Sequence, residues 1–203
     1  METKRFNNTD LLEASKLLAN KEVIAFPTET VYGLGVIYNS KEAFDKLVKV
    51  KNRPDNKPFT LMCSNIKQIE EVAFLGDAAR KIIAKFMPGE ITLLLKPKPN
   101  VFEWVVLGSE KIGVRIPNHR IALDLIRLVG FPLLVPSANP SNEAPALDAE
   151  AVLNYFDGKI AGVIDAECNK QKPSTIIDLS DGEVKLIREG NISLNDIKKV
   201  LEE

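Results

Sequence analysis

Three basic residues in the segment KNRPDNKP form the clearest chemical pattern in the chain: Lys51, Arg53 and Lys57. Two prolines, Pro54 and Pro58, predict that this cluster lies on a loop, because proline cannot continue a helix. On a loop, Lys51 and Arg53 can converge on one polyphosphate, with the guanidinium acting as a planar fork and the ammonium as a point charge. Surface Lys-x-Arg pairs are common, so a solvated loop without a ligand remains the alternative.

Three further polar loops each adjoin a run of strand-like apolar residues: PTET at 27–30, PSANPS at 136–141 and QKPST at 171–175. Ligand-binding loops in α/β proteins concentrate at strand ends, where the sheet fixes the loop and leaves its backbone accessible. Ser137 and Asn139 are short polar side chains that follow a proline. From this loop alone, a capped turn is favoured over a binding site.

The glycines of the first loop region leave two interpretations open. Gly33 and Gly35 permit either close approach of the backbone to a ligand or a tightly packed strand. A dinucleotide-binding turn is disfavoured, because Tyr38 occupies the third glycine position and no helix follows at once. The chain also lacks the GxxxxGK[ST] pattern of a P-loop. Glu29 has no assigned role at this level and can simply form the turn.

The elements that position these loops are strands alternating with amphipathic helices. Strands also follow one another directly at 22–37 and 174–188, which favours a mixed sheet over a purely parallel one. Ser40 and Asn118 are predicted helix N-caps. With 203 residues and no repeat or Gly/Ser linker, the chain is predicted to form one α/β domain.

Composition narrows the function classes. The net charge is −1, but residues 41–120 carry 15 basic and 9 acidic side chains, so the middle of the chain is cationic. Such a region suits the phosphates of a small molecule or a nucleic acid, although many lysines in a charge run lie on solvated helix faces. No run approaches the ~18 apolar residues of a membrane span, so we expect a cytoplasmic protein without membrane contacts.

Cysteine and histidine usage argues against a protein-held metal. Cys63 and Cys168 lie far apart without ligand spacing and are expected to be reduced core thiols. His119 is the single histidine, which excludes an HExxH site.

Six motifs in order resemble one known family: FPTETVYGLG, KNRP with KPF, PGEIT, GVRIP, PSANPS, and PSTIID with REG. They run from about Val23 to Gly190, and together they resemble the YrdC-like family of threonylcarbamoyl-adenylate synthases. The resemblance implies an α/β (α+β) fold, with a twisted open mixed β-sheet flanked by helices around a concave cationic cleft. It further implies a single domain over residues 1–203, with a motif-bearing core at about 9–190 and no additional C-terminal domain.

The resemblance implies synthesis of L-threonylcarbamoyl-AMP from L-threonine, bicarbonate and ATP, with pyrophosphate release. This nucleotidyl transfer would be the first step of threonylcarbamoyladenosine formation on tRNA. Mg²⁺ would act on the ATP phosphates without protein ligands. Downstream threonylcarbamoyl transferase proteins would be partners, with tRNA or double-stranded RNA as a further one.

The same resemblance implies the site residues. Lys51 and Arg53 are the candidate catalytic residues. The threonine or threonylcarbamoyl group would contact Thr30, Arg115, Ser137 and Ser174. ATP would contact Lys51, Arg53, Lys57, Asn139 and Arg188. Two further cleft positions are Thr92 and Met62.

Two alternatives stay open. The cationic middle of the chain is compatible with a module that binds double-stranded RNA or tRNA without catalysis, although the pI near 6.0 argues against it. Lys57, Met62 and Glu90 stand where the family usually has Asn, His and Pro, so a related enzyme with another acceptor is the second alternative.

Overall fold

The structure is a computed structural model that describes residues 2–52, 58–168 and 173–202. Its strands are β1 Lys4–Phe6, β2 Ile24–Phe26, β3 Gly33–Ile37, β4 Leu61–Met62, β5 Ile91–Leu95, β6 Ile112–Arg115, β7 Leu133–Leu134, β8 Gly162–Ile164, β9 Thr175–Asp178 and β10 Lys185–Arg188. Its helices are α1 Leu11–Ala19, α2 Lys41–Lys51, α3 Ile66–Val72, α4 Asp77–Phe86, α5 Glu103–Val106, α6 Arg120–Val129, α7 Ala149–Phe156 and α8 Leu194–Glu202.

The strands form one sheet in the order β1-β8-β2-β3-β7-β4-β6-β5-β9-β10. Pairing is parallel for β1 with β8, β8 with β2, β4 with β6, and β5 with β9. The remaining neighbours are antiparallel. The predicted mixed sheet is therefore confirmed, and its non-sequential order brings loops that are far apart in the chain onto adjacent strands.

Helix boundaries follow the local capping chemistry only in part. The predicted cap at Ser40 is confirmed, since its side chain accepts a hydrogen bond from the Ala43 amide at 3.3 Å. The predicted cap at Asn118 is wrong, because the N-cap position of α6 is His119, whose side chain makes no capping bond. The Asn118 amide instead donates to Glu29 Oε1 at 2.8 Å. A tertiary contact has taken the place of the local cap.

The centre of the sheet is fully buried and tightly packed at the two glycines of β3. A Cβ on Gly35 would lie 2.4 Å from Phe26 Cε1, and one on Gly33 would lie 2.4 Å from Val135 Cγ1. Both distances are too short for real carbon contacts, so only glycine fits. This close packing agrees with the packed-strand interpretation, but Gly33 also lines a cleft, so the approach of its backbone to a ligand stays a prediction.

Both cysteines behave as core thiols. The Cys63 and Cys168 side chains are both buried. Burial raises the pKa of the Cys63 thiol, which keeps it protonated and unreactive. Among the described residues, no helix is long and apolar enough to cross a membrane.

Candidate functional site

A cleft of about 300 Å³ opens over the central strands. Seven residues that the sequence predicted as site residues line it together: Thr30, Met62, Thr92, Arg115, Ser137, Ser174 and Arg188. They come from the β2–β3 connection, from β4, β5 and β6, from the loop after β7, from the residue before β9, and from β10. The volume falls at the lower end of the range for small-molecule sites.

Two of the polar loops are joined by backbone hydrogen bonds to form one wall of the cleft. The Ala138 amide donates to the Tyr32 carbonyl at 2.7 Å, and the Tyr32 amide donates to the Ala146 carbonyl at 3.0 Å. The Leu34 amide donates to the Pro136 carbonyl at 2.9 Å. The predicted turn of residues 136–141 is therefore fixed by tertiary pairing, which holds Ser137 at the cleft surface.

Side-chain hydrogen bonds of Thr28 and Tyr32 fix the loop between β2 and β3, which contains PTET. The Thr28 hydroxyl lies 3.0 Å from the Thr30 hydroxyl and donates to the Val31 carbonyl at 2.6 Å. The Tyr32 hydroxyl donates to the Ala166 carbonyl at 2.6 Å. Burial raises the pKa of Tyr32 to about 12, so this hydroxyl stays protonated and keeps donating. Thr30 is thus presented to the cleft by a fixed loop.

Arg115 is the most deeply buried cation in the cleft wall. It is 5% exposed, and its Nε donates to the Gly89 carbonyl at 3.2 Å. Its Nη2 lies 2.8 Å from Glu29 Oε1, and both side chains are almost inaccessible to solvent. Glu29 therefore supplies the countercharge that a buried guanidinium requires.

Ser174, Thr92 and Arg188 form a second polar group in the cleft. The Thr92 and Ser174 hydroxyls lie 3.0 Å apart, and Arg188 Nη2 donates to the Ser174 hydroxyl at 3.2 Å. Arg188 Nε donates to the Ser174 carbonyl at 3.0 Å. The pKa of Arg188 is lowered by burial and by the positive charge of Arg115. Two guanidinium groups therefore line one cleft, where they can contact an anion together.

Lys51 occupies a different position from the one predicted. It is the last residue of α2, so it does not lie on the loop that follows. It is 2% exposed, and its Nζ donates to the carbonyls of Ser137 at 2.7 Å and Asn139 at 2.5 Å. The Ser141 amide in turn donates to the Lys51 carbonyl at 3.2 Å. The ammonium group thus binds the backbone of residues 137–139, and Lys51 is not among the described residues that line the cleft.

The other predicted nucleotide contacts divide into two groups. The Asn139 side chain is turned into its own loop, where Nδ2 donates to the carbonyls of Pro140 at 2.8 Å and Glu143 at 3.0 Å. Its Oδ1 is buried without a hydrogen-bond partner in the described part of the chain. Arg53 and Lys57 lie outside the described residues, so their contact with a nucleotide stays a prediction.

Sequence reasoning did not assign several residues that the structure brings to the site. Phe59, Thr60, Val135 and Pro136 line the cleft beside the predicted residues. Phe59 and Pro136 belong to recognised motifs, and Thr60 and Val135 adjoin them, so membership of a motif or proximity to one is the signal that could have found them. Glu29 also stands in a motif, but its pairing with Arg115 gave no signal because the two residues are distant in the chain.

The cleft offers little to a metal ion. Its lining in the described residues includes hydroxyls, guanidiniums and apolar groups but no carboxylate. The described residues also contain no cluster of three or more histidine, cysteine or acidic side chains that could hold a metal.

Many cations of the middle block are paired with acids. The pairs include Lys41 with Asp45, Lys46 with Glu22, Arg80 with Glu70, Lys111 with Asp178, and Arg120 with Asp124. This pairing lowers the density of uncompensated positive charge on the surface, which weakens the case for an extended RNA-binding face.

Comparison with known proteins agrees with the sequence resemblance. The family model described as telomere recombination, which groups Sua5, YciO and YrdC proteins, matches residues 16–190. The threonylcarbamoyl-AMP synthase of Bacillus subtilis is 36% identical over 198 residues, covering 96% of this chain and 57% of that protein. The chain thus spans just over half the length of this curated relative.

Solved structures share the fold. A crystal structure of Pyrococcus abyssi Sua5 complexed with L-threonine matches with a TM-score of 0.92 at 32% identity, covering 99% of this chain and 61% of that one. The crystal structure of Escherichia coli YciO matches with a TM-score of 0.87 at 26% identity, covering 96% and 99%. The family model that matches residues 16–190 and the 36% identity to the Bacillus subtilis protein establish that the chain belongs to the Sua5/YciO/YrdC family.

Proposed function

We propose that the protein synthesises L-threonylcarbamoyl-AMP from L-threonine, bicarbonate and ATP, with release of pyrophosphate. One observation carries the proposal: the residues assigned to the amino acid, Thr30, Arg115, Ser137 and Ser174, meet in a single cleft with Arg188, which is assigned to the nucleotide. Relatives named threonylcarbamoyl-AMP synthase, and a similar structure that holds L-threonine, support the same activity.

The chemistry explains why the cleft is cationic. The threonine amine condenses with bicarbonate to give a carbamate and water, and a carbamate oxygen then attacks the α-phosphorus of ATP as pyrophosphate leaves. The carbamate and the ATP phosphates are both anionic, so they repel each other as they approach. Near a protein surface, a fixed cation at 4 Å interacts with an anion by up to about 4 kcal/mol, which can offset this repulsion. Arg115 and Arg188 lie in the cleft to supply such charge. The protein then contributes positioning and electrostatic stabilisation.

Further cations complete the proposed charge balance. We place Arg53 and Lys57 on the ATP phosphates, as the motif resemblance implies. Mg²⁺ bound with the ATP phosphates would supply Lewis-acid stabilisation there. Lys51 acts in this scheme through residues 137–139, whose carbonyls it holds, and so serves as a positioning residue.

Partners beyond the substrates are part of the same proposal. The labile adenylate would pass to threonylcarbamoyl transferase proteins that act on tRNA. Direct RNA binding without catalysis is the competing function. A steep loss of RNA affinity with salt, in protein that does not consume ATP, would favour that alternative.

Pyrophosphate release is expected only when ATP, Mg²⁺, L-threonine and bicarbonate are all present. The requirement follows because the carbamate is the nucleophile and forms from the last two. A coupled pyrophosphate assay with each component omitted in turn measures it, and replacing threonine with serine, valine or other amines tests acceptor choice at Met62. Pyrophosphate release that is unaffected by omitting bicarbonate would contradict the proposed reaction.

A further inference from the structure

Glu29 is the one charged residue of the PTET motif, and it does not line the cleft. It is 2% exposed and lies on the connection between β2 and β3. A carboxylate at that depth needs a compensating partner, because burying an isolated charge is costly. Its partner is Arg115 on β6, which does line the cleft.

The guanidinium of Arg115 is held from two sides. On one side, its Nε donates to the Gly89 carbonyl at 3.2 Å. On the other side, its Nη2 lies 2.8 Å from Glu29 Oε1. The same Glu29 oxygen accepts a hydrogen bond from the Asn118 amide at 2.8 Å. One carboxylate therefore contacts both Arg115, at the end of β6, and the segment that follows β6. This arrangement fixes the plane of the guanidinium before a ligand arrives.

The contact between the two charges leaves polar atoms without partners. Arg115 Nη2 and Glu29 Oε2 are both buried and make no hydrogen bond within the described residues. The Nη2 group is thus close to the carboxylate, yet its N–H bonds are not aligned with an acceptor. Burying such groups unpaired is costly, and a carboxylate in the cleft would meet the arginine through the atoms that line the cleft, on the side away from Glu29.

We propose that Glu29 is a positioning residue for ligand binding: it holds Arg115 so that the guanidinium receives the carboxylate of an amino acid substrate. The inference rests on the proposed function for the identity of that substrate. Preorganising a flexible arginine lowers the ordering cost of binding, and the negative charge of Glu29 permits a second cation, Arg188, to share the cleft.

The first test is the variant Glu29→Gln, whose side-chain oxygen can still accept the Asn118 amide but which lacks the charge. We expect KM for L-threonine to rise by about 10-fold or more while kcat changes little, because the lost contact acts on ground state and transition state alike. Asp178→Asn is the matched control, since Asp178 is also a buried carboxylate in an ion pair, with Lys111, away from the cleft lining. It should leave KM for L-threonine within about 2-fold.

A second measurement separates positioning from a merely structural role. If Glu29 acts through Arg115, the Glu29→Gln change should raise KM by less than about 2-fold in an Arg115→Lys background. A purely structural glutamate would instead lower the melting temperature and leave KM no more altered than in Asp178→Asn. That result would overturn the proposal, as would an equal rise in KM in both backgrounds.

A third readout does not depend on activity. The Arg115 Nε–H group donates to the Gly89 carbonyl and should give a slowly exchanging NMR signal that is identified by its loss in Arg115→Lys. We expect faster exchange in Glu29→Gln and no change in Asp178→Asn. If wild-type protein releases no pyrophosphate but this dependence on Glu29 is seen, the proposed function fails and the positioning of Arg115 stands. An unchanged signal in Glu29→Gln contradicts the positioning itself.

Discussion

Replacing Lys51 with methionine is expected to lower kcat by about 100-fold, because displacements of about 1 Å at positioning residues can cost that much. Methionine keeps the apolar stem of the side chain but removes the ammonium that donates to the carbonyls of Ser137 and Asn139. Ser137 would then lose its fixed place in the cleft wall. Steady-state kinetics with L-threonine and ATP measure the effect.

The matched control is Lys49→Met, in the same helical turn but exposed to solvent. It should retain near-normal kinetics. Hydrogen exchange separates positioning by Lys51 from direct phosphate contact. The Ala138 amide, which donates to the Tyr32 carbonyl at 2.7 Å, should exchange faster in Lys51→Met without any ligand. If turnover falls while this amide keeps its protection, Lys51 acts on the phosphates and the positioning account is wrong.

Replacing Arg115 with methionine is expected to affect both stability and binding. The change leaves Glu29 as an uncompensated buried carboxylate, and breaking a buried pair in this way costs about 3–5 kcal/mol of unfolding free energy. Binding of L-threonine should weaken by about 100-fold or more as the proposed carboxylate contact is lost. Thermal unfolding and calorimetric titration with L-threonine measure the two effects separately.

Arg188→Met is the informative comparison for this variant. Arg188 lines the same cleft, but it is less buried than Arg115 and its hydrogen bonds go to Ser174. Its loss should lower activity while reducing stability by less than about 2 kcal/mol. Equal destabilisation by the two variants would contradict the view that Glu29 depends on Arg115 for its countercharge.

The fold and the convergence of the loops could be predicted because their signals are local. Apolar runs mark the strands, and Thr30, Ser137 and Ser174 each stand in a motif next to a strand. The burial of Lys51 could also be predicted from the sequence. Ala43 and Leu47 are buried at spacings of four along α2, and Lys51 continues that spacing, so its burial follows from helical periodicity.

Other features depend on contacts between distant parts of the chain. β1 pairs in parallel with β8 across more than 150 residues, and nothing in its own polar neighbourhood predicts that partner. The pairing of Glu29 with Arg115 likewise requires the order β3-β7-β4-β6, which brings the β2–β3 connection beside β6. Long-range pairing of this kind leaves no periodic or motif signal in a single sequence.

The most direct test of the proposed function is mass spectrometry of the product formed from ATP, Mg²⁺, L-threonine and ¹³C-labelled bicarbonate. The account predicts an adenylate in which the labelled carbon joins the threonine nitrogen to AMP, with one pyrophosphate released per adenylate formed. An adenylate without the label, in which the threonine carboxylate had itself attacked the α-phosphorus, would contradict it. So would the absence of any adenylate from folded protein that binds both ATP and L-threonine.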